Sequence, residues 1–483
     1  VPNTGNYAFS GGTMSEEVLH NYLSRAVTQT EFLAGPETSN DGVYGTEDDE
    51  RMLLSIGAKF IGRSIYSWGH EELFVDDAWL ADAGARIERM HRSDPDLIFQ
   101  AALFEIVTTR VNDIPVPEWV FEAFGREPEA RNFRFDAICD ENGVYLGQWG
   151  ENTCVPDMSR EETQMWFYFM AVKYMEAGIE AFHCGQVMLM ASMGDSENGY
   201  AGYRTLLSKI REAAATKAAR GTVLLDAHLG NGGIVVDGEL LFDFVSFPLR
   251  AKEIAGEPMK AKLEKGYLDS VIGYTKGGRT PSGWTAERIP YLLEFDNFGV
   301  SDHPGQYDWS DHYVWGYDEI SWFSLLDDEY AREWLEYAAW IRSGTSRCRA
   351  AACRCRGLPG STAATRRARR APRAVRPRRP SEDCGTNDDT SHETTVRIAF
   401  RRAGTFRRRG RMRLRGAGSL PLRRFDLPGR AGPLPFAGRH DVGVPDRRSL
   451  LQRRNLSRQG GRRGVHPQHR RQVHRPGDLP LGR

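Results

Sequence analysis

Short apolar runs alternate with longer amphipathic segments from about residue 7 to residue 342. The short runs are rich in β-branched and aromatic residues and predict strands. The longer segments place apolar residues three or four positions apart and predict helices. Eight strands are predicted, at residues 6–14, 58–68, 96–107, 179–187 and 222–230, along the second arm of a hairpin within 232–250, and at residues 289–299 and 313–323.

Predicted helices separate these strands, at residues 15–33, 72–93, 159–178, 203–221 and 327–342. Ser15 is expected to cap the first helix, and Ser159 with Glu162 has the spacing of a capping box. Alternating strands and helices indicate an α/β protein with a parallel sheet. Because eight strands are predicted and no GxGxxG motif follows the first, we expect a closed (β/α)8 TIM barrel. An insertion follows its third strand and extends to about residue 157.

The net charge of −1 conceals two parts of opposite charge. Residues 1–342 contain 28 Lys and Arg against 56 Asp and Glu, whereas residues 343–483 contain 36 Arg, no Lys and 9 acidic residues. All 11 Trp and all 17 Tyr lie before Ser343. The second part therefore cannot bury enough apolar surface to offset its ordering entropy. We expect the barrel domain over residues 1–342, followed by a disordered Arg/Pro/Gly-rich tail over 343–483 without a compact domain.

Three explanations compete for this tail. A basic arm would neutralise nucleic-acid phosphates, but such arms usually mix Lys with Arg or interleave aromatic residues. A natural disordered segment would be richer in Ser, Glu, Lys and Gln. A shifted reading frame in GC-rich DNA yields Arg, Pro, Gly and Ala together, and it explains the abrupt change inside an amphipathic helix. We favour the frameshift and expect no nucleic-acid partner.

Polar residues end the apolar part of five predicted strands. Because the strands of a parallel barrel all end on one face, these side chains are expected to meet in a single acidic pocket. Each carboxylate, taken singly, could instead cap a helix or pair with Arg63, Arg250 or Lys276. The residues are Glu105 in the third predicted strand, His183 in the fourth, Asp226 and His228 in the fifth, Glu294, Asp296 and Asn297 in the seventh, and Asp318 and Glu319 in the eighth.

Two hydrolytic chemistries use such a cluster. In glycoside hydrolysis one carboxylic acid protonates the leaving oxygen while a second carboxylate attacks the anomeric carbon or activates water. The alternative is a metal-dependent hydrolase that binds Zn²⁺ or Mn²⁺, although the chain lacks an HxH pair after the first strand and any HExxH motif. A carbohydrate-binding barrel without catalysis is a third interpretation. The metal ligands would be His183, Asp226, His228 and Asp296, and the aromatic residues placed to stack on sugar rings are Trp68, Trp149, Trp315, Tyr317 and Trp322.

Four segments of the chain resemble a poorly characterised group of bacterial barrel proteins similar to glycoside hydrolases. They are GQWGENTCVPDMSREETQMWFYFMAVKYMEAGIEAFHCGQV, LLDAHLGNGG, GRTPSGWTAERIPYLLEFDNFG and WGYDEISWF. The resemblance covers most of residues 1–342 and none of the tail, and it implies a (β/α)8 fold and a carbohydrate substrate. Many retaining barrel glycosidases carry an Asn-Glu pair at the end of strand four, where this chain reads HCGQV, so Gln186 is not the proton donor. Glu294 matches the position of the nucleophile in such barrels.

Strand position assigns the expected roles. Glu294 is expected to be the nucleophile or base, Asp226 the general acid and Glu105 the alternate acid. We expect a carbohydrate substrate, no cofactor, no metal and no membrane partner, while the compartment and the oligomeric state stay open. Cys139, Cys154 and Cys184 lack CxxC spacing and are expected to be unpaired thiols. The expected substrate-binding residues are His183, His228, Asp296, Asn297, Asp318, Glu319, Trp68, Trp315, Trp322, Arg250 and Lys276.

Overall fold

The computed structural model describes residues 5–36, 38–39, 44–307 and 312–342. This part of the chain is a mixed α/β structure. The tail expected to be disordered, residues 343–483, lies outside the described residues. No helix in the described ranges is both long and apolar enough to cross a membrane.

Helices and short strands alternate along the described ranges. The α-helices are α1 (Glu16–Leu23), α2 (Glu47–Ile56), α3 (Asp77–His91), α4 (Glu118–Ala123), α5 (Phe135–Ile138), α6 (Glu161–Glu176), α7 (Val187–Ala191), α8 (Ala201–Lys217), α9 (Glu319–Ser324) and α10 (Asp328–Arg342), with 3-10 helices at Glu71–Val75 and Thr109–Asp113. The strands are β1 (Ala26–Thr28), β2 (Phe60–Tyr66), β3 (Ile98–Ala102), β4 (Val107–Thr108), β5 (Thr153–Cys154), β6 (Ala181–His183), β7 (Leu224–Asp226), β8 (Val235–Val236), β9 (Glu239–Leu240), β10 (Val245–Pro248), β11 (Lys252–Glu253), β12 (Ala261–Lys262), β13 (Gly278–Arg279), β14 (Thr285–Ala286) and β15 (Tyr291–Glu294).

A parallel sheet in the order β1, β2, β3, β6, β7 positions the candidate site. Strands β10 and β15 form a second parallel pair. A parallel bridge between His228 and Ser246, with a hydrogen bond of 3.1 Å from Ser246 N to Ala227 O, joins the end of β7 to β10. These seven strands therefore follow one another in chain order, as repeated βαβ units do.

One apolar cluster collects side chains from the beginnings of these seven strands. Helix α1 and the segment before it cover this cluster, with Tyr7 and Tyr22 packed edge to face at 4.9 Å between ring centroids. Because the strands run parallel, their opposite ends lie together at the other side of the cluster. The cluster includes Ala26, Phe60, Ile98, Ala181, Leu224, Phe244 and Leu292, each 5% exposed or less.

The predicted first strand at residues 6–14 is wrong. Only an isolated bridge between Ser10 and Thr13 forms there. Helix α1 begins at the Ser15 cap, as predicted, but it ends at Leu23, and β1 lies inside the segment predicted as helix. Both faces of Ala26 and Val27 are buried because β1 pairs with β2, so tertiary burial overrides the helical pattern.

The predicted eighth strand at residues 313–323 is also wrong. The chain turns at Val314–Tyr317, which form an isolated bridge, and then enters helix α9. Asp318 caps this helix, since its Oδ1 accepts a hydrogen bond from Ser321 N at 2.5 Å. The turn needs glycine at position 316, where φ is +73° and a Cβ atom would lie 2.5 Å from His303 O. The last predicted helix is confirmed as α10.

Two predicted local motifs have different outcomes. The hairpin is confirmed, because β8 and β9 pair antiparallel around Asp237 and Gly238, whose φ angles are +53° and +85°. The capping box of α6 is wrong, although the helix itself is confirmed. Ser159 Oγ donates to Asp157 Oδ1 at 2.7 Å, and Glu162 instead accepts hydrogen bonds from Arg131 at 2.7 and 2.9 Å.

Cys139 and Cys154 form a disulfide in the insertion after β3, so the expectation of unpaired thiols is wrong for both. Cys184 is free and buried. The disulfide joins the end of α5 to β5, and β5 pairs antiparallel with β4. It therefore closes the part of the insertion that returns to the end of β3.

Replacing Cys139 and Cys154 together with Ser is expected to lower the free energy of unfolding by about 3 kcal/mol, because the unfolded chain regains the freedom of a loop of this length. Urea denaturation of the oxidised proteins measures the difference. Dithiothreitol should then destabilise the wild type but leave the double variant unchanged. Equal stability of the two oxidised proteins would contradict the expectation.

Candidate active site

Asp226 ends β7 beside His183, its register partner on β6. Asp226 Oδ1 accepts a hydrogen bond from Gln100 Nε2 at 2.5 Å. Its Oδ2 accepts one from Ser246 Oγ at 2.7 Å and lies 3.1 Å from His183 Nδ1. Asp226 is 1% exposed, so protein groups satisfy both oxygens of a buried carboxyl.

Glu294 ends β15 and is held by one side chain from β1 and one from β2. Thr28 Oγ1 donates to Glu294 Oε1 at 2.5 Å, and the Arg63 guanidinium pairs with Oε2. The pairing register of β2 with β3 shifts between Ile61 and Ile65, and Arg63 has a φ of +49° within this irregularity. Such an irregularity can re-aim a side chain, and here the charged side chain that it carries contacts Glu294.

Gln100, in the middle of β3, connects these two carboxyl groups. Its Nε2 donates to Asp226, and its Oε1 accepts from Arg63 N at 3.0 Å. The side chain of Gln100 is buried and uses both ends of its amide. Gln100 therefore links the Asp226 carboxyl group to the backbone of Arg63, and the guanidinium of Arg63 pairs with Glu294. We call these four residues the carboxylate network.

Glu294 and Arg63 stabilise each other's charged form. Burial acts to raise the pKa of Glu294, but Arg63 and His183 outweigh it, so the pKa lies below its ordinary value. Burial acts to lower the pKa of Arg63, but Glu294, and more weakly Asp226, hold it above its ordinary value. Glu294 is therefore a carboxylate at neutral pH, and Arg63 is its counterion.

His228 lies next to this network with an unused ring nitrogen. Its Nε2 is buried and has no hydrogen-bond partner among the described residues. Its ring centroid lies 4.9 Å from that of Phe247 and 6.3 Å from that of His183. Burial, with His183 and the positive charge of Arg63, holds the pKa of His228 well below its ordinary value. His228 is therefore a neutral imidazole that can bond one further group.

Arg250, just after β10, is committed to two carboxylates. Its Nε donates to Asp269 at 2.5 Å and its NH1 donates to Asp296 at 2.6 Å. The guanidinium lies over the Phe247 ring, 5.0 Å from the centroid, and Arg250 is 7% exposed. The sequence-based alternative that carboxylates pair with Arg63 or Arg250 thus describes Glu294 and Asp296.

Glu319, the first residue of α9, ties the ends of β10 and β15 together. It accepts hydrogen bonds from Ala251 N at 2.7 Å and from Asp296 N at 3.0 Å. The side chain is fully buried. Burial raises the pKa of Glu319 to about 7, although these two N–H groups act in the opposite direction. Glu319 thus carries a proton under mildly acidic conditions, without contact with solvent.

The stability of the fold is expected to depend on pH through Glu319. Because its folded pKa is raised, the unfolded chain loses this proton near pH 4.5 and the folded chain only near pH 7. Its contribution to stability is therefore lost as pH rises through this window, by about 3 kcal/mol. Urea denaturation of the wild type and of Glu319→Gln at several pH values isolates this slope.

The exposed Glu329 of α10 supplies the control for this measurement. Glu329→Gln should follow the pH dependence of the wild type, whereas Glu319→Gln should lose less stability than the wild type between pH 5 and pH 8. Parallel curves for all three proteins would rule out the assigned protonation of Glu319.

Glu105 lies after β3, where both of its carboxyl oxygens contact Gln186. The backbone N of Gln186 donates to Oε2 at 3.0 Å, and its Nε2 donates to Oε1 at 2.7 Å. Gly185 is required beside it, because its φ is +58° and a Cβ atom would lie 2.3 Å from Glu105 Oε2. Glu105 thus fixes the turn that follows His183.

The remaining sequence-predicted residues are spread over several environments. Trp68 is half-buried and contacts Phe104 and Trp149. Trp315 and Trp322 are buried, and each indole N–H donates at 2.9 Å to a backbone oxygen, of Lys260 and Met259 respectively. Asp318 caps α9, whereas Asn297 and Lys276 are exposed.

The described ranges contain no group of three or more His, Cys, Asp or Glu side chains arranged to hold a metal ion. Two of the four predicted ligands contact each other, and a third pairs with an arginine. His183 Nδ1 faces Asp226, and Asp296 pairs with Arg250.

Sequence reasoning gave no active-site role to Thr28, Arg63, Gln100 and Ser246. A charged residue inside the apolar run AKFIGRSIYSW and an amide inside DLIFQAALF were signals for two of them. A polar side chain in a buried strand needs a hydrogen-bond partner, so its presence in the sequence predicts a polar contact inside the protein. The partners of Thr28 and Ser246 lie on other strands, and no local pattern marks them.

No protein-family model and no curated protein matches the chain. Among solved structures, it is similar to the α-galactosidase of Thermus thermophilus in complex with p-nitrophenyl α-D-galactopyranoside, with 15% identity and a TM-score of 0.33 over 68% of this chain and 60% of that chain. The same enzyme in complex with stachyose is 15% identical to the chain, with a TM-score of 0.31 over 68% of this chain and 64% of that chain. The debranching enzyme of Nostoc punctiforme, in its native form, is 9% identical, with a TM-score of 0.29 over 47% of this chain and 51% of that chain. These neighbours are glycoside hydrolases, and the chain spans about three fifths of the length of the α-galactosidase.

Proposed function

We propose that the chain is a glycoside hydrolase that acts on a neutral oligo- or polysaccharide. The observation that carries this proposal is the carboxylate network, which joins two strand-end carboxyl groups, Asp226 and Glu294, through Gln100 and Arg63. Glycoside hydrolysis needs two carboxyl groups in different environments. Glu294 is ionised and pairs with the Arg63 guanidinium. Asp226 instead contacts an amide, a hydroxyl group and an imidazole, those of Gln100, Ser246 and His183.

We further propose that the strands close into a (β/α)8-like barrel. Two observations support closure: Thr28 on β1 donates a hydrogen bond to Glu294 on β15, and Ala26 shares its apolar cluster with Leu292. The first and last strands of the series would then lie side by side. Strand-end residues of such a barrel converge on one face. The network would then lie at the mouth of the barrel, where its loops bind the substrate.

In the proposed reaction, the Glu294 carboxylate is the nucleophile or base, and Asp226 is the general acid. Asp226 would protonate the leaving oxygen, and Gln100, Ser246 and His183 would hold its carboxyl group in position. His228 Nε2 would bond a substrate hydroxyl. Glu105, with both oxygens on Gln186, would position the turn beside His183.

A neutral substrate follows from the charges at the site. Both guanidinium groups, Arg63 and Arg250, are paired with carboxylates. A substrate carboxylate would meet the negative charge of Glu294 and Asp296, while the two guanidinium groups beside them are already paired. Hexosides therefore fit this site better than glycosides of uronic acids.

Turnover of aryl glycosides and oligosaccharides by the full chain tests the proposal. We expect product from at least one neutral hexoside or hexosaminide and none from the matched hexuronides. Cleavage of uronides alone would contradict the charge assignment. Saccharide binding in calorimetry without product from any glycoside would instead establish a carbohydrate-binding barrel.

A further inference from the structure

We propose that Trp68 and Trp149 form a binding subsite for a neutral hexose oligosaccharide, and that the Cys139–Cys154 disulfide holds Trp149 in place. This proposal rests on the proposed function for the position of the cleaved sugar. It extends that function to the insertion after β3. The insertion would thus add a second point of contact with an oligosaccharide.

The two indoles form an aromatic corner. Their ring centroids lie 5.5 Å apart, with an angle of 64° between the ring planes. Phe104 packs against Trp68 at 5.5 Å and against Tyr66 at 5.1 Å, in both cases edge to face. All four residues are half-buried, at the ends of β2 and β3 or in the insertion. Half-buried aromatic rings offer a flat apolar surface, which matches the apolar face of a pyranose.

The corner lies next to the carboxylate network. The Phe104 ring also contacts the His183 ring, at 6.0 Å between centroids, and His183 faces Asp226. Two ring contacts therefore separate Trp68 from the residue that pairs with the proposed acid. A sugar on this corner would belong to the same saccharide chain as a sugar held at Glu294.

Trp149 comes from the insertion, and two hydrogen bonds of its own and one of the preceding turn fix it. Its indole Nε1 donates to Glu105 O at 2.7 Å, and its backbone N donates to Thr153 Oγ1 at 3.2 Å. Gly147 N donates to Thr153 O at 2.7 Å. Thr153 and Cys154 form β5, which pairs with β4 just after Glu105. The disulfide links β5 to α5, so it holds the strand from which Trp149 is positioned.

The first part of the test is binding, measured by calorimetry with the full chain. Stachyose, maltohexaose and cellohexaose serve as probes. For the tightest-binding probe, we expect Trp149→Ala and Trp68→Ala each to raise Kd about tenfold, and Trp149→Phe, which keeps an aromatic face, to raise it less. The Cys139→Ser/Cys154→Ser variant should raise Kd in the same direction while both indoles remain.

Trp284 supplies a matched control. It is also half-buried, and its Nε1 donates to a backbone oxygen, Met14 O, at 3.2 Å. It packs against the apolar cluster at the opposite ends of the strands. Trp284→Ala should leave Kd unchanged. Circular dichroism gives a second readout, because Trp149→Ala and Trp68→Ala should remove the same coupled indole signal and Trp284→Ala should not.

Failure of all three probes to bind the wild type, or an unchanged Kd in Trp149→Ala, would overturn the subsite. An unchanged Kd in the cysteine double variant would overturn the role of the disulfide. Binding through Trp149 without cleavage of any glycoside leaves the subsite intact and contradicts the proposed function. Hydrolysis of an aryl monoglycoside should be unaffected by Trp284→Ala.

Discussion

Replacing Glu294 with Gln is expected to abolish turnover, with a fall in kcat of at least about a thousandfold, and to destabilise the fold. The amide is neither a nucleophile nor a base, so the proposed reaction loses its attacking group. The amide also leaves Arg63 without its counterion. The side chains of Arg63 and Glu294 are 21% and 11% exposed, and loss of one partner from an enclosed pair costs about 3 kcal/mol.

Two measurements separate these effects. Urea denaturation gives the change in stability, and kcat on the best neutral glycoside, at a temperature where both proteins are folded, gives the change in catalysis. Glu88→Gln is the matched control, because Glu88 pairs with Arg92 on the surface, where both side chains are at least 66% exposed. It should cost less than about 0.5 kcal/mol and leave kcat unchanged. Wild-type turnover by folded Glu294→Gln would rule out a direct role for Glu294.

Replacing Asp226 with Asn is expected to lower kcat by about a hundred- to ten-thousandfold on alkyl glycosides and oligosaccharides. Asn carries no proton that it can transfer, so the leaving group must depart unprotonated. An activated leaving group such as dinitrophenolate needs no such help. Dinitrophenyl glycosides should therefore be cleaved far more nearly at the wild-type rate.

Asp195→Asn is the matched control for this variant. Asp195 is also 1% exposed, but its carboxylate accepts hydrogen bonds from Gly202 N and Tyr203 N at the beginning of α8. Its replacement should lower the stability of the fold. The ratio of kcat on dinitrophenyl glycosides to kcat on alkyl glycosides should stay unchanged. An equal loss on activated and unactivated substrates in Asp226→Asn would show that Asp226 positions its neighbours, His183 and Gln100, rather than donating a proton.

Much of the strand arrangement could be predicted because buried strands are apolar and end in polar residues. The runs that contain β2, β3, β6, β7 and β15 were predicted for this reason. Both ends of the series were missed. At β1 three residues suffice for a strand once β2 lies beside them, and at residues 313–323 an aromatic-rich segment turns and caps a helix instead. Local patterns do not contain these tertiary contacts.

The sequence indicated the two carboxyl groups of the candidate site but not the residues that hold them. Asp226 and Glu294 stand at the ends of apolar runs, so their position is visible in the sequence. Arg63 is separated from Glu294 by 231 residues and Gln100 from Asp226 by 126, and the bulge that aims Arg63 inward has no sequence signature. The disulfide was missed because its spacing of 15 residues matches no short motif.

The central claim is that Asp226 and Glu294 face one substrate-binding site. A crystal structure of the Glu294→Gln variant with a bound neutral oligosaccharide tests it most directly. We expect a sugar ring in contact with residue 294 and, in the superposed wild type, carboxyl groups of Asp226 and Glu294 separated by about 5–9.5 Å, with the lower end indicating retention and the upper end inversion. A saccharide bound away from residue 294, or two carboxyl groups that face different surfaces, would contradict the account.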